Sequence, residues 1–268
     1  MLNTLLCLGK CILKSKRPSP AARTPRERAL VVMGNGPSLR QTLDTKGDWL
    51  RANDLLAVNF AANTPEYFEL RPSLYVLADG HFFAGYHTDA NVKKLWENLA
   101  KTDWNMTLWV AAPQAKKIPV TLPGNITIKK FNLTPGDGSG RFLHRIYDAG
   151  LAMPRPRNVL IPSIMAGIRE GYREIYLCGA DHTWTKTLSV DEENHVISIQ
   201  PHFYKDNEKE HTRVSSVYQG LHMHDVLGSM TIAFRSYFGV KAYADAKGVK
   251  IYNATPGSFI DAFPRWES

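Results

Sequence analysis

The apolar positions of this chain fall mostly into runs of four to seven residues, each bounded by glycine, proline or polar residues. Runs of that length with such boundaries predict buried strands. Residues 29–33 (ALVVM) form the first, and it breaks into Gly34-Asn35-Gly36-Pro37-Ser38, where Pro37 and Ser38 predict the first turn of a short helix continued by Leu39 and Leu43. Residues 55–60, 73–79, 107–112, 126–131, 174–178 and 249–255 repeat the strand pattern. Helical spacing appears between them. Residues 90–102 put Val92, Leu95, Trp96 and Leu99 on one face, residues 158–171 do the same with Ile161, Ile164, Met165 and Ile168, and a long helix is predicted over 215–247. Residues 188–200 alternate around Glu192-Glu193-Asn194 as a hairpin, residues 134–140 are a turn-rich loop, and the polar stretch 201–211 reads as a lid. Strands alternating with helices give the α/β class: one open, largely parallel sheet with helices on both faces and a lid segment over about residues 185–215.

The polar residues that interrupt these runs carry the chemistry. A strand, a glycine turn and a helix start together make a phosphate seat, because glycine lets the backbone approach an anion and the first helical N–H groups face it. Leu39 stands where a dinucleotide fold has its third glycine, and Asn59 closes the second strand where an acid would hold the ribose, so NAD is disfavoured. The absence of Gly-Lys-Ser/Thr excludes a Walker-type ATPase, and that of Gly-x-Ser-x-Gly a serine-elbow hydrolase. Asp79, ahead of Gly80-His81-Phe82-Phe83, either lines a site or caps the next turn. Residues 179–182 (GADH) end a second strand, so Gly179, Asp181 and His182 should meet residues 34–38 at one sheet edge and border one crevice.

Nine histidines are present, and His202, His211, His222 and His224 gather in a short span, from which a general base is expected. His222 and His224 diverge on a helix, so one of them at most faces a site, and neither has zinc-protease spacing. Asp44, Asp79, Asp181 and Asp261 stand singly, so no metal seat is indicated.

Composition adds a second region. Charged residues make up 22% and apolar ones 44%, ordinary for a globular protein, but the net charge is +8 and much of the excess precedes residue 29, where seven Lys and Arg face only Glu27. Cys7, Cys11 and Cys178 match neither a disulfide framework nor a zinc site, and a reducing cytoplasm fits them. The first sixteen residues are too short to span a bilayer. They read either as an interfacial helix whose broad apolar face holds Leu2, Leu5, Leu6, Leu8, Cys11, Ile12 and Leu13, or as a frayed basic tail. With Pro18, Pro20 and Pro25 they make residues 1–28 a basic tail and linker ahead of a domain over 29–268. No nucleic-acid-binding signature is visible. The expected location is cytoplasmic, peripheral at the inner membrane.

Gly-Asn-Gly-Pro-Ser-Leu (34–39), Val-Asn-Phe (58–60), the strand into Ala78-Asp79 with Phe82-Phe83, the run 171–181 (GYREIYLCGAD), and 250–253 (KIYN) with Pro256-Gly257-Ser258 together resemble the bacterial CMP-sialic-acid-dependent sialyltransferases. The resemblance implies a single Rossmann-like domain with a lid and no cofactor or metal. It also implies a CMP-sugar donor and a glycan or glycolipid acceptor, as in lipopolysaccharide or capsule biosynthesis. Carried over by position, it puts Asn35, Gly36 and Ser38 on the nucleotide phosphate and ribose, Asn59 in the donor pocket, and Gly179 and Asp181 beside the cytidine. His202 or His224 is then the base and Tyr204 a phosphate ligand, while Asp79, Asn158, His182 and Ser258 complete the substrate-binding set. The chain departs from that family at residues 157–160 (RNVL), where Thr-Ser-Gly is expected, and at Thr183-Trp184, where a tyrosine is expected, which leaves room for another CMP-activated acidic sugar. Hydroxymethylpterin pyrophosphokinase-like proteins share the opening loop and imply instead ATP and Mg²⁺ held by Asp79 and Asp181. A third reading, a nucleotide- or nucleic-acid-binding module, rests on the +8 charge alone.

Overall fold

A computed structural model describes residues 2–197 and 220–266. The chain runs through α1 (Leu2–Lys14), β1 (Leu30–Met33), α2 (Ser38–Thr45), α3 (Gly47–Ala52), β2 (Asp54–Val58), α4 (Pro65–Leu70) and β3 (Leu74–Leu77). It continues through α5 (His81–Ala84), α6 (Ala90–Leu99), β4 (Met106–Ala111), β5 (Ile126–Phe131), α7 (Gly140–Asp148), α8 (Leu160–Arg169) and β6 (Glu174–Cys178). The hairpin β7 (Ser189–Val190) and β8 (Val196–Ile197), the long α9 (Met223–Ala246) and β9 (Lys250–Asn253) complete the described α-helices and strands.

Seven strands form one sheet in the order β5-β4-β3-β2-β1-β6-β9, and every pairing is parallel. This is an α/β, Rossmann-like architecture. Its strands are nearly continuous apolar runs because helices cover both faces. Leu30, Val32, Leu56, Val76 and Leu177 pack with Ile161 and Ile164 of α8 and Tyr237 and Val240 of α9. The alternate positions Val31, Met33, Leu55, Tyr75 and Leu108 pack with Leu39 of α2 and Leu95, Trp96 and Leu99 of α6. From β1 the chain steps outward as far as β5, then returns to β6 on the other side of β1. Crossovers that leave in opposite directions open a crevice beyond the carboxyl ends of β1 and β6, where ligands of open α/β sheets bind.

The predicted strands and the helices over 90–102 and 158–171 are present with ends shifted by a few residues. Helices α3, α4, α5 and α7 are additions; with four to nine residues each, they offer too few repeats for an apolar period to stand out. The second predicted strand ends at Val58, because Asn59 turns into a 3-10 helix at φ 51°. The long helix starts at Met223; residues 215–219, and the lid beyond Ile197, lie outside the described residues.

The basic segment is helical and laid on the domain rather than frayed. Cys7 and Cys11 are buried in the core beside Ile146 and Tyr147, so Cys11 faces inward with Cys7 and does not share the face of the leucines, as the sequence pattern had it. The two cysteines are four residues apart and therefore stack on one side of the helix. The linker follows the domain too: Ala22 N–H donates to the Arg169 carbonyl (2.7 Å), Arg169 Nη2 donates to the Ser19 carbonyl (2.7 Å), and Arg26 pairs with the buried Glu170 (3.5 Å).

Candidate functional site

The switch point is closed by backbone meeting backbone. Gly34 N–H donates to the Cys178 carbonyl (2.7 Å) and Gly36 N–H to the Gly179 carbonyl (2.8 Å), so the turn after β1 is tied to the turn after β6. A Cβ on Gly34 would stand 2.5 Å from the Gly179 oxygen, and one on Gly179, which has φ +61°, would fall against the Gly34 oxygen. Both glycines are required by this approach. Across the same junction Ser38 donates to Asp181 through its hydroxyl (2.8 Å) and its backbone N–H (3.3 Å), which places the Asp181 carboxylate on the first turn of α2. Burial pushes the Asp181 carboxyl above its ordinary range, against the two Ser38 hydrogen bonds.

The next residue, His182, sits in the left-handed region at φ 52° and is 6% exposed. Asn158 Oδ1 accepts from the N–H groups of Leu160 (3.0 Å) and Ile161 (3.4 Å) at the head of α8. Those bonds fix which end of the amide is nitrogen, and Asn158 Nδ2 therefore donates to His182 Nε2 (3.2 Å). The Tyr237 hydroxyl of α9 reaches the same nitrogen at 2.7 Å. With Nε2 an acceptor, the neutral ring carries its proton on Nδ1. Burial pushes the His182 pKa down to about 3, so the ring is neutral at physiological pH. Trp184 lies over it with ring centroids 4.1 Å apart. Behind this turn, Ser258 donates to the Ala180 carbonyl (2.6 Å) and Thr255 Oγ1 accepts from Ala180 N–H (3.1 Å), bracing it from the segment after β9.

These turns open onto a cleft of about 1470 Å³. Asn35, Gly36, Asn59, Asp79, Asn158, Gly179, Asp181 and His182 line it, so the structure brings together eight of the residues singled out in the sequence. Ser38 and Ser258 stand behind its wall, holding Asp181 and Ala180. His202 and Tyr204 lie outside the described residues. His224 is 80% exposed in its side chain, 3.4 Å from the Asp225 carboxylate, and is not part of the cleft lining, although Val226, Ser229, Met230 and Ala233 further along α9 are. His222 is the N-cap of α9 in a reciprocal capping box with Asp225.

The acids and the cations of the cleft differ in their partners. Its carboxylates are engaged within the protein: Asp181 as above, Asp79 by the N–H of His81 (2.8 Å), and Asp89 by the N–H groups of Asn91 and Val92 at the head of α6 and by His81 Nε2 (3.0 Å). Lys94, Arg157 and Lys186 also line the cleft, and among the described residues none of them is ion-paired; Lys186 lies 5.0 Å from the Phe259 ring centre. Sequence reasoning passed over these three cations because single basic residues on helices and loops carry no motif. Asp191, Glu193 and His195 bring possible metal-ligand atoms within 4.8 Å of one another in the β7–β8 hairpin, but Asp191 Oδ1 already accepts from the N–H groups of Glu193 (3.1 Å) and His195 (2.6 Å) and shapes that turn.

No family model matches the chain, and no curated protein matches it. Among solved structures the chain is similar to the MAf glycosyltransferase from Magnetospirillum magneticum AMB-1, with a TM-score of 0.52 at 10% sequence identity. That likeness covers 98% of this chain and 38% of the other, so the chain spans well under half the length of that enzyme. A mammalian sialyltransferase in complex with Gal-beta-1-3GalNAc-ortho-nitrophenol gives a TM-score of 0.32 at 11% identity, over 86% of this chain and 78% of the other, too low a score to carry an argument. At such identities the comparison speaks of architecture: the chain has an α/β, Rossmann-like fold similar to that of a glycosyltransferase.

Proposed function

We propose that this protein is a glycosyltransferase that moves an acidic, sialic-acid-like sugar from a CMP-activated donor to a hydroxyl of a cell-surface glycan or glycolipid precursor. The observation that carries this reading is how the charged groups of the cleft are partnered: its acids accept hydrogen bonds within the protein while Lys94, Arg157 and Lys186 are not ion-paired among the described residues and are left for a ligand. A site so arranged favours an anionic ligand, and its position at the switch point and its size suit a nucleotide joined to a sugar. In this reading the residue 34–36 turn and Asn59 hold the nucleotide. Asp181 already occupies the first turn of α2, and the Gly34 and Gly36 N–H groups are spent on the turn after β6, so the phosphate charge falls to the three cations.

Transfer breaks the bond between the sugar's anomeric carbon and the phosphate oxygen as the acceptor hydroxyl attacks that carbon. CMP leaves with the bonding pair, and a base removes the acceptor proton. His182 is excluded as that base, because its Nε2 is committed to Asn158 and Tyr237 and its burial opposes protonation. It serves instead as a neutral Nδ1–H donor beside the leaving group. The base falls to His202 or to His224, which stands two residues before the cleft-lining Val226. With cations and N–H donors available to the monophosphate, the reaction is expected to proceed without a metal.

A thermal-shift comparison of CMP, UDP, NAD and ATP with Mg²⁺ tests the reading, since a ligand that binds only the folded state raises its melting temperature. CMP should stabilise the protein in EDTA. Stabilisation by ATP with Mg²⁺ alone would replace it with an ATP-dependent pyrophosphokinase acting on a pterin-type alcohol.

A further inference from the structure

The packing of α1 leaves a second apolar surface. Its inner side is fixed: Cys7 and Cys11 are buried, Asp137 N–H donates to Cys7 Sγ (3.3 Å), the Ser15 and Thr134 hydroxyls are 2.8 Å apart, and Asn132 Nδ2 donates to the Lys16 carbonyl (2.7 Å). On the outer side stand Leu5, Leu6, Leu8, Ile12 and Leu13, exposed from 41% at Leu8 to 80% at Leu13. At 100° per residue they occupy the half of the helix opposite the cysteines. Large aliphatic side chains gathered on one exposed helical face mark an interaction surface rather than ordinary surface scatter.

We propose that this face is a docking surface for an anionic phospholipid bilayer, on which α1 lies in the plane of the interface. The charge around it selects that occupant. Lys10 and Lys14 on the helix and Lys16 and Arg17 just past its end are exposed, none is ion-paired among the described residues, and the first acidic residue of the chain is Glu27. A helix with an aliphatic face and a cluster of cations toward its C-terminal end matches a surface that is apolar below and negative above. A second copy fits poorly, because a two-fold contact sets the patch against itself and brings these cations together. Crossing the bilayer is excluded for α1, since thirteen residues rise about 20 Å against the roughly 30 Å of the hydrocarbon layer, and among the described residues no helix is long and apolar enough to cross.

The placement has a functional reach. The segment under α1, residues 132–139, follows β5 at the carboxyl edge of the sheet, and its Leu133 lines the cleft. α1 therefore packs on the segment that also borders the cleft, and a protein held on a bilayer through α1 would meet a glycolipid acceptor near its site; this last step rests on the proposed transferase reading, whereas binding to lipid does not.

Vesicle co-sedimentation of the full chain, without donor or acceptor, tests it. The protein should pellet with vesicles of equal parts phosphatidylcholine and phosphatidylglycerol and stay in solution with phosphatidylcholine alone. Replacing the outer face (Leu5→Ser, Leu6→Ser, Ile12→Ser, Leu13→Ser) or the cations (Lys10→Gln, Lys14→Gln, Lys16→Gln, Arg17→Gln) should each weaken binding about tenfold or more while leaving the melting temperature unchanged. Wild-type protein that ignores anionic vesicles, or an outer-face variant that binds as wild type does, overturns the proposal. So does a dimer in sedimentation equilibrium that the outer-face variant dissolves, which would assign the surface to a second copy. Failure here leaves the CMP response of the cleft, and with it the transferase reading, intact.

Discussion

His182 and His224 stand at opposite extremes of one molecule. His182 is buried, held by an amide whose orientation the head of α8 dictates, and covered by Trp184. His224 lies at the exposed head of α9 with Asp225 beside it. The first position is over-determined by backbone and packing, and its protonation follows from burial; the second is packed against little and faces solvent. The buried ring can only donate the hydrogen it keeps, whereas the exposed ring is open to solvent and to an incoming group. A histidine's role in such a site is set by what surrounds it, not by its proximity in sequence to other histidines.

The contrast can be broken most severely at the junction that holds His182 in place. Gly179→Ala should cost on the order of 4 kcal/mol or abolish folding, since it adds a Cβ at positive φ against the Gly34 carbonyl; a urea midpoint near that of wild type would show that the junction yields. Next comes acidity. The folded His182 pKa lies near 3 and an unfolded histidine titrates near 6.5, so the unfolded chain takes the proton first. The stability it contributes is fully present above about pH 6.5 and falls by about 1.4 kcal/mol per unit as pH drops toward the folded value. Across that range wild type should lose stability more steeply than His182→Gln, which keeps only the slope of its carboxylates; equal slopes would contradict the buried neutral ring. Asp181→Ala removes the acceptor for the Ser38 hydroxyl and N–H at the head of α2 and should lower stability by about 1 kcal/mol, measured the same way. Smallest is His224→Ala, expected to change stability by less than about 0.5 kcal/mol; a larger loss would place this histidine with the structural group.

The strands were legible because burial on both faces leaves runs such as residues 30–33 and 174–178 with little but apolar residues. The crevice followed from them, since glycine turns after β1 and β6 meet wherever those strands are neighbours. What the residues could not disclose was partnership. Ser38 looks like an anion ligand until Asp181 is seen on it, Ser258 looks like a site residue until it is found bracing Ala180, and Cys11 joins the leucines on a helical wheel until the β5 side claims it. Lys94, Arg157 and Lys186 are far apart in sequence and become one feature only when α6, the head of α8 and the turn before β7 converge on the cleft.

Those three cations carry the central claim, and calorimetric titration of CMP in EDTA tests it most directly. Wild-type protein should bind CMP, and the Lys94→Gln, Arg157→Gln, Lys186→Gln triple variant, with an unchanged melting temperature, should bind at least about tenfold more weakly. Absence of CMP binding by wild type, or equal affinity in the variant, would contradict the account.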